Sequence, residues 1–166
     1  MVVEISCKPY VGAYLRKHFK TVMDDGRRAV DLSEVRFVSD FFLNLLSRAS
    51  ARYDKRTTLQ GYTDSVMIYI SPDEFRRYGF ELTKTAQLRF NSFMEDYIKD
   101  KCRIYVGIHH RNRGMMVSKA IRRFQEEFSF TEDEFPYATI VKDIQRNVDF
   151  DDLFKKSRHQ QLSLFG

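Results

Sequence analysis

Residues 83–109 read TKTAQLRFNSFMEDYIKDKCRIYVGIH, and the folding of this stretch decides the fold class. Phe90, Phe93, Met94, Tyr97, Ile98, Cys102, Tyr105, Val106 and His109 keep the spacing that lines one side of a helix. Thr83 carries a hydroxyl suited to capping its first turn. The competing reading ends the helix near Lys101 and makes residues 103–108 a strand, because Ile104, Val106 and Ile108 alternate. The helical reading is preferred, and it makes the chain mainly α.

Upstream, Val2 to Ile5 reads as a short strand. From Pro9 the residues Tyr10, Val11, Tyr14, Leu15, His18, Phe19 and Val22 take helical spacing, and Asp24-Asp25-Gly26 breaks the helix. Ser33 is a candidate cap for a second helix, with Val35, Val38, Phe41, Phe42, Leu45, Leu46 and Ala49 on one face. Thr58 to Ile70 reads as a β-hairpin turning at Gly61, with Val66, Ile68 and Ile70 on the buried face. Ser71-Pro72-Asp73-Glu74 has the form of a capping box, and that short helix stops at Gly79. Downstream, residues 110–114 form a polar break. Residues 116–128 are helical, Thr131 to Glu134 form another capping box, and Pro136 opens a helix through Asn147. The expected architecture is α+β: mainly α with a small β-hairpin. Residues 1–148 form a single globular domain, and residues 149–166 a flexible tail.

The chain has 166 residues, 43% of them hydrophobic and 31% charged, enough for a core and a solvated surface. Fifteen Phe and nine Tyr argue against disorder throughout. Cys7 and Cys102 form no metal-binding pair in sequence. They read as reduced, partly buried thiols, with a single disulfide as the other outcome. No signal peptide and no apolar run of membrane-spanning length is evident, so the expectation is a cytoplasmic protein.

The net charge of +5 permits nucleic-acid binding without requiring it. Its distribution says more. Lys101, Arg103, Arg111, Arg113, Lys119, Arg122 and Arg123 fall in a window that holds no Asp or Glu. Phosphates suit such a window, because neutralising them releases condensed counterions. Arg111-Asn112-Arg113-Gly114 would present two guanidinium groups on a turn. The alternative is a solvated helix face paired with Glu126 and Glu127.

Residues 116–147 follow a helix, turn, helix pattern, so the C-terminal half is helix-turn-helix-like. Thr139-Ile140 followed by Lys142, Asp143, Gln145 and Arg146 resembles the recognition helix of bacterial helix-turn-helix proteins. That resemblance implies that Thr139, Lys142, Gln145 and Arg146 face the major groove of double-stranded DNA. Asp143 sits awkwardly in such a face. An ordinary amphipathic core helix would carry the same apolar pattern.

Gln161-Leu162-Ser163-Leu164-Phe165 resembles the bacterial motif that binds the DNA polymerase III β sliding clamp, matching its consensus at every position. A chance match in a chain of this size is on the order of one in a thousand or rarer from average residue usage. The Gln161 amide can donate and accept at a pocket entrance. Leu162 can fill one apolar pocket, Leu164 and Phe165 a deeper one, and Ser163 can turn outward. Burial contributes roughly 1.5–3 kcal/mol for each large side chain. Ordering the tail offsets a good part of that, leaving an affinity on the order of micromolar. The competing fate of Leu162, Leu164 and Phe165 is packing on the protein's own surface.

Neither a Gly-Lys-Ser/Thr phosphate loop nor a Gly-x-Gly-x-x-Gly sequence occurs. His109-His110 lacks the His-hydrophobic-His pattern of nicking nucleases and has no carboxylate cluster near it in sequence. His109 is expected to face inward and His110 to touch solvent or phosphate. No catalytic residue, metal or cofactor is expected. The sequence thus points to a non-enzymatic, nucleoid-associated replication accessory or regulator that binds the clamp and DNA. One alternative is a helix-turn-helix transcription regulator. Another is a phage or mobile-element protein that occupies the host clamp.

Overall fold

The computed structural model describes residues 1–48 and 58–147. Contacts divide the chain into two compact units, Met1–Glu95 and Asp96–Gly166.

In the first unit, β1 (Val2–Cys7) buries Val3, Ile5 and Cys7 on alternate positions. Pro9 then opens α1 (Pro9–His18), which buries Tyr10, Val11, Tyr14 and Leu15. The helix stops earlier than its spacing predicted. Lys20–Asp24 is a strand, β2, paired antiparallel with β3 (Arg27–Asp31). Asp25 and Gly26 both take positive φ, 47° and 75°, which the tight primed hairpin turn requires at its two central positions. The Asp-Gly pair is therefore a hairpin turn rather than a helix terminator.

Ser33 does not cap the next helix. Its N–H donates to Asp31 Oδ1 at 2.9 Å, and α2 (Arg36–Leu43) starts after Val35. Val38, Phe42 and Leu43 are buried, and the chain leaves the helix at Asn44, before Leu45 and Leu46. β4 (Asp64–Tyr69) buries Val66 and Ile68, and Ile70 follows them inward. The hairpin expected around Gly61 does not form. β4 lies inside the sheet, whose order is β1-β4-β3-β2, and its partners come from distant sequence. It pairs antiparallel with β1 and meets β3 in parallel sense at Val30 and Ile68.

The capping box forms as its sequence predicts. Glu74 N–H donates to Ser71 Oγ at 3.3 Å, and Ser71 N–H to Glu74 Oε2 at 2.8 Å. It starts α3 (Pro72–Tyr78), which ends at Gly79. A side chain there is disfavoured twice over: φ is 91°, and a Cβ would run into the Ser47 carbonyl.

The long helix is confirmed as α4 (Lys84–Arg113), so residues 103–108 are not a strand. Thr83 Oγ1 accepts from Ala86 N–H at 3.0 Å. The fully buried Asn91 donates to the Ser6 and Gln87 carbonyls, each at 2.9 Å, and accepts from Lys8 N–H at 3.2 Å. Gln87 Oε1 accepts from Ser6 N–H at 3.0 Å. β1 is an edge strand, and these two amides occupy backbone groups that would otherwise be open to another strand.

The second unit contains the rest of α4, α5 (Val117–Phe128) and α6 (Tyr137–Asn147). Ile98, Cys102, Val106, Ala120, Ile121, Phe124, Ile140 and Ile144 form its core, with Phe130 and Phe135 from the connection. Among the described residues no helix is long and apolar enough to cross a membrane.

Candidate nucleic-acid interface

The basic face is built by the way α4 ends. The helix runs through Arg113, so Arg111 and Arg113 stand on its last turn rather than on a loop. Gly114, at φ 59°, lets the backbone turn away. Met115 N–H bonds the His109 carbonyl at 3.3 Å, and His110 Nδ1–H donates to the Met115 carbonyl at 2.8 Å. One ring nitrogen of the half-buried His110 is thus committed to the turn.

Alternation of buried and exposed positions on α5 places Ala120, Ile121 and Phe124 inward and Lys119, Arg122 and Arg123 outward. Arg111, Arg113, Lys119, Arg122 and Arg123 are all exposed, and none has an ion-pair partner among the described residues. The anticipated pairing with Glu126 and Glu127 is not what holds them. Glu127 instead accepts the Tyr105 hydroxyl at 2.7 Å. Burial and that carboxylate push the Tyr105 phenol up to about 12.

Arg113 and Arg123 come together around one spot. Both bear electrostatically on Tyr105 and on His109, whose ring lies 4.2 Å from the Tyr105 ring. Burial first, then the two guanidinium groups, lowers the His109 pKa from its usual value. Its Nδ1 is buried without a hydrogen-bond partner among the described residues, in keeping with the expected inward orientation. Arg122 takes another direction, its guanidinium carbon 5.3 Å from the centre of the Tyr137 ring at the start of α6.

Arg103 does not belong to the free set. It makes two hydrogen bonds to Asp143, at 3.0 and 2.9 Å, and a third to Asp100. This clasp ties α6 to α4 and turns Asp143 away from the outward face of α6. Thr139, Lys142, Gln145 and Arg146 share that exposed face, and their side chains make no hydrogen bond or ion pair among the described residues. No described contact joins them to Arg111 or Arg113.

The connection between α5 and α6 covers residues 129–136, against about three to four residues in a helix-turn-helix. The predicted capping box lies within it: Glu134 N–H donates to Thr131 Oγ1 at 3.2 Å, and Thr131 N–H to Glu134 Oε2 at 3.0 Å. Buried Gln125 donates to the Phe135 carbonyl at 2.8 Å and to Glu132 at 3.2 Å. Glu132 in turn accepts from Tyr137 N–H at 2.9 Å, holding a carboxylate at the start of α6.

Cys7 and Cys102 are free and buried, and burial pushes each thiol up to about 12. Among the described residues, no group of three or more His, Cys, Asp and Glu side chains could hold a metal ion. Gln161, Leu162, Ser163, Leu164 and Phe165 lie outside the described residues.

Sequence reasoning missed Ile104 and Ile108, which are exposed on α4. Their absence from the helical apolar set was the available signal. No protein family, curated protein or solved structure matches this chain.

Proposed function

We propose that this chain is a non-enzymatic DNA-replication accessory or regulatory protein of the nucleoid. Gln161, Leu162, Ser163, Leu164 and Phe165 bind the β sliding clamp, and the basic surface of α4 and α5 binds duplex DNA. The observation that carries the clamp assignment is the match of the pentapeptide at every position of the motif. The DNA assignment is supported by five exposed cations, Arg111, Arg113, Lys119, Arg122 and Arg123, without ion-pair partners among the described residues.

The test is binding of the full chain to purified clamp, beside Leu164→Ala/Phe165→Ala. Wild type is expected to bind in the micromolar range. The variant should lose at least about tenfold, the change that roughly 1.4 kcal/mol of lost burial would produce. Equal binding by both proteins, or binding by neither, removes the assignment.

A second reading, a helix-turn-helix transcription regulator, draws on the shared outward face of Thr139, Lys142, Gln145 and Arg146. It requires preference for a defined duplex sequence and no need of the clamp. A protein that occupies the clamp without engaging DNA would bind clamp and show no salt-dependent DNA binding.

A further inference from the structure

α4 carries an apolar strip that the core of its unit does not use. Ile104 is 58% exposed and Ile108 51% exposed. They are one turn apart on the same side, with Lys101 on one flank and Arg111 on the other. Lys101 lies 5.2 Å from the centre of the Tyr97 ring, which extends the strip by a further turn. Lys101 and Arg111 are exposed, and neither is in an ion pair among the described residues. A partner for this strip needs large apolar side chains interleaved with negative charge.

The chain contains such a segment directly after α6. Residues 149–154 are Asp149, Phe150, Asp151, Asp152, Leu153 and Phe154. The apolar residues fall at i, i+3 and i+4, and three carboxylates lie among them. Reach agrees with charge. α6 is clasped to α4 by Arg103 and Asp143, at 2.9 Å, one residue before Ile104. Asn147, the last residue of α6, is one helical turn beyond Asp143 and donates to its carbonyl at 2.9 Å. The strip from Lys101 to Arg111 is about 15 Å long at 1.5 Å per residue. Six extended residues span roughly 20 Å.

We propose that residues 149–154 dock on the Lys101–Ile104–Ile108–Arg111 strip, with Phe150, Leu153 and Phe154 against the two isoleucines and the aspartates beside the two cations. Docking changes the arm that carries the pentapeptide. Thirteen residues, 148–160, separate α6 from Gln161, and docking leaves six, 155–160, so the reach falls from about 45 Å to about 20 Å. That consequence rests on the clamp reading of residues 161–165, whereas the docking itself does not. Arg111 belongs both to the strip and to the proposed DNA surface, so the aspartates and a phosphate compete for it.

The experiment uses the full chain with Ile108→Cys and follows alkylation of that thiol. Cys7 and Cys102 are buried and supply little background. Alkylation is expected to be at least tenfold slower in Ile108→Cys than in Ile108→Cys/Phe150→Ser/Phe154→Ser, independent of protein concentration. Equal rates in the two proteins overturn the proposal. Protection that grows with protein concentration also overturns it, and assigns the strip to a second copy of the chain. Clamp and DNA are absent from the assay, so its outcome is separate from theirs.

Discussion

Burial and two guanidinium groups oppose the protonation of His109 and outweigh the Glu127 carboxylate, which favours it. Its ring packs on Tyr105, its Nδ1 is buried without a hydrogen-bond partner among the described residues, and Arg113 and Arg123 add positive potential. Burial is the largest of these effects, and the pKa is lowered. A base whose folded pKa is lowered binds fewer protons folded than unfolded. Its unfavourable contribution is therefore absent well above the unfolded value of about 6.5, and it grows as pH falls through that value toward the folded one. Urea midpoints at pH 7.5 and pH 5.5 check this, with His109→Phe as the comparison. Wild type should lose more stability over that interval than the variant, because Phe keeps the ring contact and removes the titration. The other three histidines are common to both proteins, so the difference isolates residue 109. Identical losses would remove His109 as the source.

At the scale of elements, the features most legible in sequence were those determined locally. The Ser71 and Thr131 capping boxes, the Thr83 cap and the thirty-residue helix α4 all depend on residues within a few turns of one another. Partnering was less legible. Residues 20–24 continue a helical apolar pattern, yet β-branched Thr21 and Val22 pair with Val30 and Ala29 once Asp25 and Gly26 turn the chain. The alternation of Val66, Ile68 and Ile70 identified a buried strand face, but not that its neighbours come from β1 and β3. For the candidate site, the outward cations could be read from helical spacing, while the removal of Arg103 by Asp143 required the tertiary structure. α5 contains a further conflict. Lys119 stands in its first turn and Glu126 and Glu127 in its last, opposite to the order favoured by the helix macrodipole. Helix stability does not explain that order, whereas the proposed DNA contact near the start of α5 would. The exchange Lys119→Glu/Glu126→Lys keeps the net charge. It should stabilise the fold by about 0.3–1 kcal/mol at each site while weakening DNA binding. Thermal unfolding and a DNA titration on the same protein check both signs. A variant that is stabilised and binds DNA as wild type does would detach Lys119 from the interface.

At the scale of the whole molecule, the two proposed contacts differ in their response to salt, and that difference makes them separable. Gln161, Leu162, Ser163, Leu164 and Phe165 carry no charge, so clamp binding should change little with ionic strength. The DNA surface behaves oppositely. If Arg111, Arg113, Lys119, Arg122 and Arg123 each neutralise one phosphate, log K should fall against log salt with a slope of about −4.5, at roughly −0.9 per phosphate. Undocked, the arm between α6 and Gln161 holds the end of α6 within about 45 Å of the clamp pocket. On a clamp already loaded on DNA, the second contact forms at an effective concentration on the order of millimolar, which can raise affinity by about 10²–10⁴. Wild type should therefore bind loaded clamp far more tightly than free clamp at low salt and converge on the free-clamp affinity at high salt. Arg111→Glu/Arg122→Glu/Arg123→Glu should show only the free-clamp affinity at every salt concentration. Leu164→Ala/Phe165→Ala should keep the salt slope on bare DNA and lose the enhancement on loaded clamp. If the charge-reversed protein keeps both the enhancement and the slope, the DNA contact lies elsewhere on the chain, and the outward face of α6 with Lys142 and Arg146 is the next surface to reverse.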